Sequence, residues 1–172
     1  MKKISILFFS FLVSVGMIHA QNNATLPSVD VETLLGEAMN TNKISNNGNP
    51  IVISFWATWC KPCIKELSTI QEVYDDWQEE TGVKVIAVSV DDARTSLGVR
   101  SIVYGRGWDY EVILDKNSDL KRAMNVVNIP HTFLLNGKGE VVYQHTSYAP
   151  GDEEELYDRI LALVKEEKKT EK

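Results

Sequence analysis

Apolar side chains recur with two different spacings along the chain, and the spacing separates strands from helices. From residue 51 onward the pattern predicts the order β-α-β-α-β-α-β-β-α. The predicted strands cover residues 51–56, 83–90, 110–114, 131–135 and 140–145, and the predicted helices cover 61–81, 94–104, 118–125 and 152–168. Alternation at the start implies right-handed parallel crossovers, and the hairpin turn at 136–139 implies antiparallel strands at the end. We therefore expect an α/β fold, a three-layer sandwich whose mixed central sheet carries helices on both faces.

Residues 29–50, ahead of this pattern, carry a weaker signal. Five apolar residues between positions 31 and 39 are spaced for one face of a helix, but Gly36 interrupts that face and turn residues crowd positions 40–50. This composition favours a short strand hairpin as an N-terminal extension of the sheet. Farther along, we expect a turn at 105–107 and a cap from Asn117 or Ser118 on the third helix.

The first twenty residues differ in composition from the rest of the chain. Lys2 and Lys3 precede an apolar run that ends near Ala20 and is shorter than the roughly 20 apolar residues that span a bilayer. A basic start, an apolar centre and a small residue before a polar stretch are typical of a cleaved secretory signal. We therefore expect export to the periplasm or another extracytoplasmic compartment. The predicted divisions are a signal peptide at 1–20, a mobile leader at 21–28, a folded domain at 29–168 and a frayed tail at 169–172.

Composition and charge narrow the possible partners. The 172 residues suit one domain, and 44% hydrophobic with 24% charged residues is usual for a globular protein. The net charge is −6, and the Lys and Arg residues are scattered or gathered only at the tail, which provides no basic surface for nucleic acid. We expect a monomer that does not bind nucleic acid.

The two cysteines, Cys60 and Cys63, lie three residues apart. A bridge that closes so small a loop constrains the unfolded chain very little, and a chain of this length builds a core without it. The spacing therefore indicates redox chemistry rather than a structural staple. A zinc site would need further ligands, and the remaining soft candidates are His131 and His145. We predict a redox-active Cys60–Cys63 disulfide, no other cofactor and no metal.

The predicted strand-to-helix junction places Cys60 at a helix N-terminus. Unpaired N–H groups and the helix dipole favour a thiolate there, and Lys61 adds a positive charge. Pro62 fits the first helical turn, where its missing N–H is not needed. Cys63 lies on the same face, so it can resolve the mixed disulfide that Cys60 forms with a partner.

Glu66 follows Cys63 by three residues on the same predicted helix. Its carboxylate can take the proton of the deeper thiol, directly or through water. An exposed helix carboxylate is the other interpretation, and the spacing alone does not decide between them. Two tryptophans bracket the motif: we expect Trp56 to pack in the core and Trp59 to form part of a docking surface.

The stretch Ile51–Cys63, I-V-I-S-F-W-A-T-W-C-K-P-C, resembles the thioredoxin superfamily. It is more similar to the TlpA/ResA-like branch of extracytoplasmic thioredoxins, which shares the Glu matched by Glu66 and the strand matched by residues 85–91. The resemblance implies a thioredoxin-like fold and an enzyme that reduces protein disulfides. It also implies thiol- or disulfide-bearing client proteins and a membrane electron donor.

The same resemblance implies roles for individual residues. Pro130 matches a cis-proline that faces the cysteine pair, and the backbone of Ile129 would pair with bound substrate. Cytosolic thioredoxins carry a buried Asp where this chain has Ser54, which makes Glu66 the more necessary as proton acceptor. The substrate-contacting residues implied in this way are Trp59, Lys61, Pro62, Ile129, Pro130 and His131.

His131 departs from the Thr that often follows the cis-proline. A ring beside the two sulfurs would stabilise a thiolate or act as a gate. A partly exposed strand residue is the plainer interpretation, and it is the only one we have for His145.

Other functions stay open at this point. A disulfide-forming oxidase or a peroxidase uses the same cysteine pair, and a non-catalytic module could use it to hold a metal such as copper. Lys61 and the helix end favour the thiolate and a more oxidising couple, whereas a negative Glu66 acts in the opposite sense.

Overall fold

The computed structural model describes residues 24–170. The strands are β1 (Asp30–Thr33), β2 (Ala38–Asn40), β3 (Ile51–Trp56), β4 (Lys84–Ser89), β5 (Glu111–Leu114), β6 (His131–Leu135) and β7 (Val141–Thr146). The helices are α1 (Lys61–Thr81), α2 (Val99–Arg106), α3 (Asp119–Ala123) and α4 (Asp152–Thr170), with short 3-10 turns at Thr41–Lys43 and Ser96–Gly98. The predicted signal peptide, the start of the leader and residues 171–172 lie outside the described residues.

Within the described residues, one mixed sheet runs in the order β2-β1-β5-β4-β3-β6-β7. β4 is parallel to both β3 and β5, whereas β6, β7, β1 and β2 join antiparallel to their neighbours. The two parallel crossovers, through α1 and α2, step in the same direction across the sheet. Right-handed crossovers that step the same way place their helices on one face. The predicted mixed sheet is confirmed.

The predicted N-terminal hairpin is also confirmed. β1 pairs with β2 and then joins the edge of β5. Gly36 lies in the turn with a φ of 87°, a left-handed conformation that glycine adopts without strain. Gly36 interrupts the helical pattern in the sequence because it lies in the turn between β1 and β2.

β3 divides the core into two layers. All six of its residues are buried. Val52 and Trp56 pack with α1, α2 and α4, whereas Ile53 and Phe55 pack with α3 on the other face. A strand buried on both faces shows a continuous apolar run instead of alternation, as this one does.

Several predicted boundaries were wrong. Gly105 and Arg106 are helical, and only Gly107 leaves α2, with a φ of 64°. Ser118 occupies the N-cap position of α3 as predicted, but its side chain makes no capping hydrogen bond. The carboxylate of Asp115 instead accepts the N–H groups of Leu120 and Lys121 at 3.2 and 2.8 Å. A carboxylate positioned by the end of β5 caps this helix better than its own preceding residues, because Ser118 takes a left-handed backbone conformation and makes no side-chain cap.

Over residues 24–170, no helix combines the length and the apolar composition that crossing a bilayer requires.

Candidate active site

Cys60 and Cys63 meet at the start of α1. Cys60 is the cap residue of the helix, and its sulfur accepts the N–H of Cys63 at 3.3 Å. The two residues form a disulfide, with Cα atoms 5.3 Å apart. Cys60 is 6% exposed and Cys63 is fully buried. The predicted placement of the attacking sulfur at a helix N-terminus therefore agrees with the observed geometry.

Asp91 holds the loop that carries the motif. Its carboxylate accepts the N–H of Thr58 at 2.8 Å, the hydroxyl of Thr58 at 2.6 Å and the hydroxyl of Ser89 at 2.9 Å. Asp91 is fully buried. It follows β4, whose carboxyl end lies beside that of β3 because the strands are parallel. Sequence reasoning missed Asp91, although an acid directly after a buried strand was the available signal.

Glu66 lies on the face of α1 that packs against the sheet, and it is 2% exposed. Its Oε1 accepts the hydroxyl of Thr132 at 2.8 Å and lies 3.2 Å from Nε2 of His145. Its Oε2 accepts the hydroxyl of Ser54 at 3.2 Å. The interpretation of Glu66 as an exposed helix carboxylate is wrong, because the helix turns this residue inward onto the sheet.

The partners of Glu66 form one row across three strands. Ser54 on β3 pairs with Thr132 on β6, and Thr132 pairs with His145 on β7. Directly paired residues point to the same face of a sheet, so all three side chains reach the same carboxylate. His145 is the functional candidate that sequence reasoning missed, because no local pattern near it indicates an acid 79 positions away.

The hydrogen bond with Glu66 raises the pKa of His145, against the opposing effect of burial. Its side chain is 16% exposed. When it is protonated, the imidazole forms an ion pair with the buried Glu66 carboxylate.

His131 lies on the opposite face of the sheet from Glu66. Its ring stacks on Phe133 with centroids 4.3 Å apart, and Nε2 lies 3.1 Å from Oε1 of Gln144. The residue is 8% exposed, and burial lowers its pKa. The predicted place of His131 on a strand is confirmed, whereas its predicted partial exposure was wrong. Strand alternation directs Thr132 towards the active-site helix and His131 away from it, and a role of His131 beside the sulfurs stays a prediction.

A family model described as AhpC/TSA matches residues 23–144. The chain belongs to the AhpC/TSA family. It is 29% identical over 137 residues to the thiol-disulfide oxidoreductase ResA of Halalkalibacterium halodurans, covering 80% of this chain and 73% of that protein. It is 31% identical over 127 residues to the sporulation thiol-disulfide oxidoreductase A of Bacillus subtilis, covering 73% of each.

A solved relative confirms the fold. The uncharacterized thioredoxin-like protein of Porphyromonas gingivalis is 52% identical, with a TM-score of 0.74, covering 82% of this chain and 92% of that one. The predicted resemblance to the ResA-like branch and the thioredoxin-like fold are thus confirmed. This AhpC/TSA-family chain is a thiol–disulfide oxidoreductase, and an enzyme of that class exchanges electrons with a partner that carries a thiol or a disulfide.

The residues around the sulfurs of this oxidoreductase differ in solvent exposure. Trp59 is 64% exposed, and Lys61 and Pro62 are exposed beside it. Ile129 is half-buried, Pro130 is buried, and the peptide bond between them is cis. The expectation of an exposed Trp59 ring is met, whereas substrate contact by these residues stays a prediction.

Two indole rings lie in the same core cluster as the cysteines. Trp56 is fully buried in the same core cluster as Cys60 and Cys63. It meets Trp108 edge to face, with ring centroids 5.0 Å apart. Within residues 24–170, no group of three or more His, Cys, Asp or Glu side chains is placed to hold a metal ion.

Proposed function

We propose that this oxidoreductase reduces disulfide bonds of client proteins outside the cytoplasm, using the Cys60–Cys63 pair without a further cofactor. The observation that supports the proposal most is the buried Glu66 carboxylate, one helical turn after Cys63 and hydrogen-bonded by the sheet. A resolving thiol that is fully buried needs a base to lose its proton, and Glu66 is in the position to supply it.

The reaction proceeds in two exchanges. The Cys60 thiolate attacks one sulfur of the client disulfide, forms a mixed disulfide and releases one client thiolate. Cys63 then gives its proton to Glu66 and attacks the Cys60 sulfur, which releases the second client thiolate and closes the Cys60–Cys63 bond. Two electrons pass from the enzyme to the client. One client thiolate takes the Cys63 proton back from Glu66, and the other takes from solvent the proton that Cys60 had released.

The direction follows from two opposing charges. The helix N-terminus and Lys61 stabilise a thiolate on Cys60, which makes a couple more oxidising. The buried Glu66 beside Cys63 disfavours a second thiolate and so destabilises the reduced form. We infer that the second effect is the larger, because Glu66 is 2% exposed whereas Lys61 lies in solvent.

The surroundings of the enzyme are part of the proposal. The signal-like residues 1–20 support export, after which a reductant needs its own electron supply. A membrane dithiol protein would provide it by docking on the surface between Trp59 and Pro130, where an exposed indole lies near the sulfurs. We propose that the enzyme acts as a monomer.

Two cysteine variants test the exchange itself. Cys60→Ser should abolish insulin reduction and trap no partner, because the attacking sulfur is gone. Cys63→Ser should accumulate mixed disulfides through Cys60, because nothing resolves them. Gel analysis without reductant, followed by mass spectrometry, identifies the trapped species. Equal trapping by the two variants would contradict the assignment of attacker and resolver.

The direction is tested by equilibrating the couple with glutathione and measuring Trp fluorescence. Potentials within this fold run from about −270 to −120 mV, and we expect a value nearer the reducing end. A value at the oxidising end, or rapid oxidation of reduced peptides without reductase activity, would establish the oxidase alternative. Turnover of hydroperoxide would establish the peroxidase, and stoichiometric copper binding without insulin reduction would establish the metal-binding module.

A further inference from the structure

The geometry points to His145 as a positioning residue that decides when Glu66 accepts the proton of Cys63. This inference rests on the proposed role of Glu66 and adds a pH gate to the second exchange. Among the described residues, three side chains engage the Glu66 carboxylate, and two of them, Ser54 and Thr132, do so through hydroxyls. Only His145 changes its charge near neutral pH.

The two oxygens of the Glu66 carboxylate have different hydrogen-bond partners. Oε1 is engaged by both Thr132 and His145, at 2.8 and 3.2 Å. Oε2 is engaged only by the Ser54 hydroxyl, at 3.2 Å, among the contacts of the described residues. Oε2 therefore has the spare lone pair, and we assign the Cys63 proton to it.

A proton must lie between Nε2 of His145 and Oε1 of Glu66, since two acceptors 3.2 Å apart would otherwise repel. With that one proton the pair has a net charge of −1 and is ready to accept another. With a second proton on the ring the pair is neutral. The carboxylate of a neutral pair is held by a full positive charge, which makes it a poor base towards Cys63.

The ring itself is under opposing influences. The hydrogen bond with Glu66 raises the pKa of His145 above its ordinary value of 6.5, and burial acts against this. Nδ1 is buried and has no hydrogen-bond partner among the described residues, so a second N–H there would be unsatisfied. The Glu66 contact thus favours the protonated His145 ring, whereas burial and the unpartnered Nδ1 act against it.

The neighbouring charges come from several elements. Asp152 and Glu155 on α4 add negative charge that favours the protonated ring. On β7, the ring of Tyr143 lies 5.9 Å from that of His145 and carries Arg159 of α4 over its face. On β6, the pKa of His131 is lowered by burial and, more weakly, by the charge of His145.

Two tyrosines complete the surroundings of Glu66. Tyr110, just before β5, and Tyr148, before α4, both have a raised pKa, chiefly through burial and with a smaller contribution from the charge of Glu66. Both are neutral throughout the range in which a histidine titrates. His145 is therefore the one group beside Glu66, within the described part of the chain, that switches in this range.

Atoms and electrons balance in the gated step. Above the titration of His145, Cys63 gives its proton to Oε2 of Glu66 and its thiolate attacks the Cys60 sulfur. The bond between Cys60 and the client breaks, and the client leaves as a thiolate. That thiolate takes the proton from Oε2, and no oxidant or reductant beyond the client disulfide is required.

The test uses the reduced full-length protein and dithiobis(nitrobenzoate), a symmetric disulfide whose thiolate product absorbs visible light. Attack by Cys60 releases the first product, and resolution by Cys63 releases the second. Stopped-flow absorbance therefore measures both exchanges in one trace, over a range of pH on both sides of the ordinary histidine value of 6.5.

His145→Gln keeps an N–H donor towards Oε1 but cannot be protonated. We expect the wild-type second step to fall by about tenfold for each pH unit below the titration of His145, and the ratio of the His145→Gln rate to the wild-type rate to rise accordingly. At high pH the two rates should agree within about twofold, because both proteins then donate a neutral N–H. The first step should be the same in both.

His145→Phe removes the donor as well. At high pH its second step should be slower than that of the wild type by roughly tenfold, whereas His145→Gln should keep the wild-type rate. Tyr143→Phe is the matched control on the same face of β7, since its hydroxyl reaches Glu155 at 3.4 Å instead of Glu66. It should retain the wild-type profile. If His145→Phe does not fold, the comparison of His145→Gln with the wild type decides alone.

The inference is overturned if the second-step rate of His145→Gln falls at low pH as that of the wild type does. It is also overturned if, at high pH, the second step of His145→Phe is as fast as that of the wild type. Release of a single product by the wild type itself would overturn the role of Cys63, and this inference with it. The number of products thus tests the proposed function, whereas the pH profile of the second product tests His145.

Discussion

At the scale of the residue, Glu66 shows how the fold retains a buried charge near the sulfurs. A carboxylate without partners would be neutralised or excluded from the interior. Hydroxyls from β3 and β6 and an imidazole from β7 compensate for the lost water. Each of these partners is itself fixed in a strand, so the carboxylate stays in one place while the sulfurs exchange bonds.

Thr132→Val should reveal the strength of this arrangement. Thr132 is fully buried, and the change removes its 2.8 Å hydrogen bond to Glu66 while keeping the shape of the side chain. We expect the free energy of unfolding to fall by about 1–3 kcal/mol, because a buried carboxylate oxygen loses a donor. Urea unfolding of the oxidised protein measures the change. Thr132→Ser, which retains the hydroxyl, should lose less, and equal losses would contradict the explanation.

The two described histidines should affect stability with opposite pH dependence. His145 has a raised folded pKa, so its contribution is fully present below the unfolded value of 6.5 and is lost as pH rises through the folded value. His131 has a lowered folded pKa, so the folded state loses stability as pH falls below 6.5. Urea unfolding across pH of the wild type, His145→Gln and His131→Phe separates the two contributions.

In this comparison, the difference between wild type and His145→Gln should be largest on the acidic side of 6.5. His131→Phe should instead become relatively more stable than the wild type as pH falls. Curves of all three proteins that run parallel would show that neither ring titrates differently in the folded chain.

At the scale of the element, strand ends and loops place the chemistry. The buried strand β3 ends beside β4, and Asp91 beyond β4 fastens Thr58 in the turn that leads to Cys60. α1 begins where that turn ends and finishes at Gly82, which has a φ of 69°. The start of the helix is thus determined by a neighbouring strand as well as by its own residues.

Two glycines should respond to alanine in opposite ways. A Cβ at Gly137, in the turn between β6 and β7, would collide with the backbone carbonyl of Gly48, whereas one at Gly105 in α2 meets nothing within 4 Å. Gly137→Ala should destabilise by about 1–3 kcal/mol, because backbone must move. Gly105→Ala should stabilise by roughly 0.5–1 kcal/mol, because alanine loses less entropy in a helix. Urea unfolding of both variants measures the difference, and the same sign for both would contradict this account.

At the scale of the whole molecule, the sheet order explains where the cysteine pair lies. The pair lies at the carboxyl end of β3, next to the carboxyl end of a parallel neighbour, where loops from both strands meet. Trp56 and Trp108 form the core behind it, and Trp59 projects into solvent in front. The exposed indole of Trp59 thus lies on the solvent side of the pair, where we expect a partner to dock.

Export is the prediction that belongs to the whole chain. Residues 1–20 have the composition of a secretory signal, and signal peptidases cut after a small residue. N-terminal sequencing of the protein recovered from the extracytoplasmic fraction should begin at Gln21. Recovery of a membrane-bound chain that retains Met1 would contradict it.

The sequence by itself determined the features that depend on neighbouring residues. The Cys60–Cys63 spacing and the proline in the first helical turn act over a few positions, and each predicted its structure correctly. The buried strand β3 and the N-terminal hairpin were likewise visible in local patterns.

Only the tertiary structure decided which side chains meet at the carboxylate. Glu66 and Thr132 are 66 positions apart, and Glu66 and His145 are 79 apart. Their contact depends on the pairing register of β3, β6 and β7, and a shift by one residue would have turned His131 towards Glu66 instead of Thr132. Register is set by the packing of the entire sheet, and for this physical reason the sequence indicated the cysteines but not the histidine that lies beside their base.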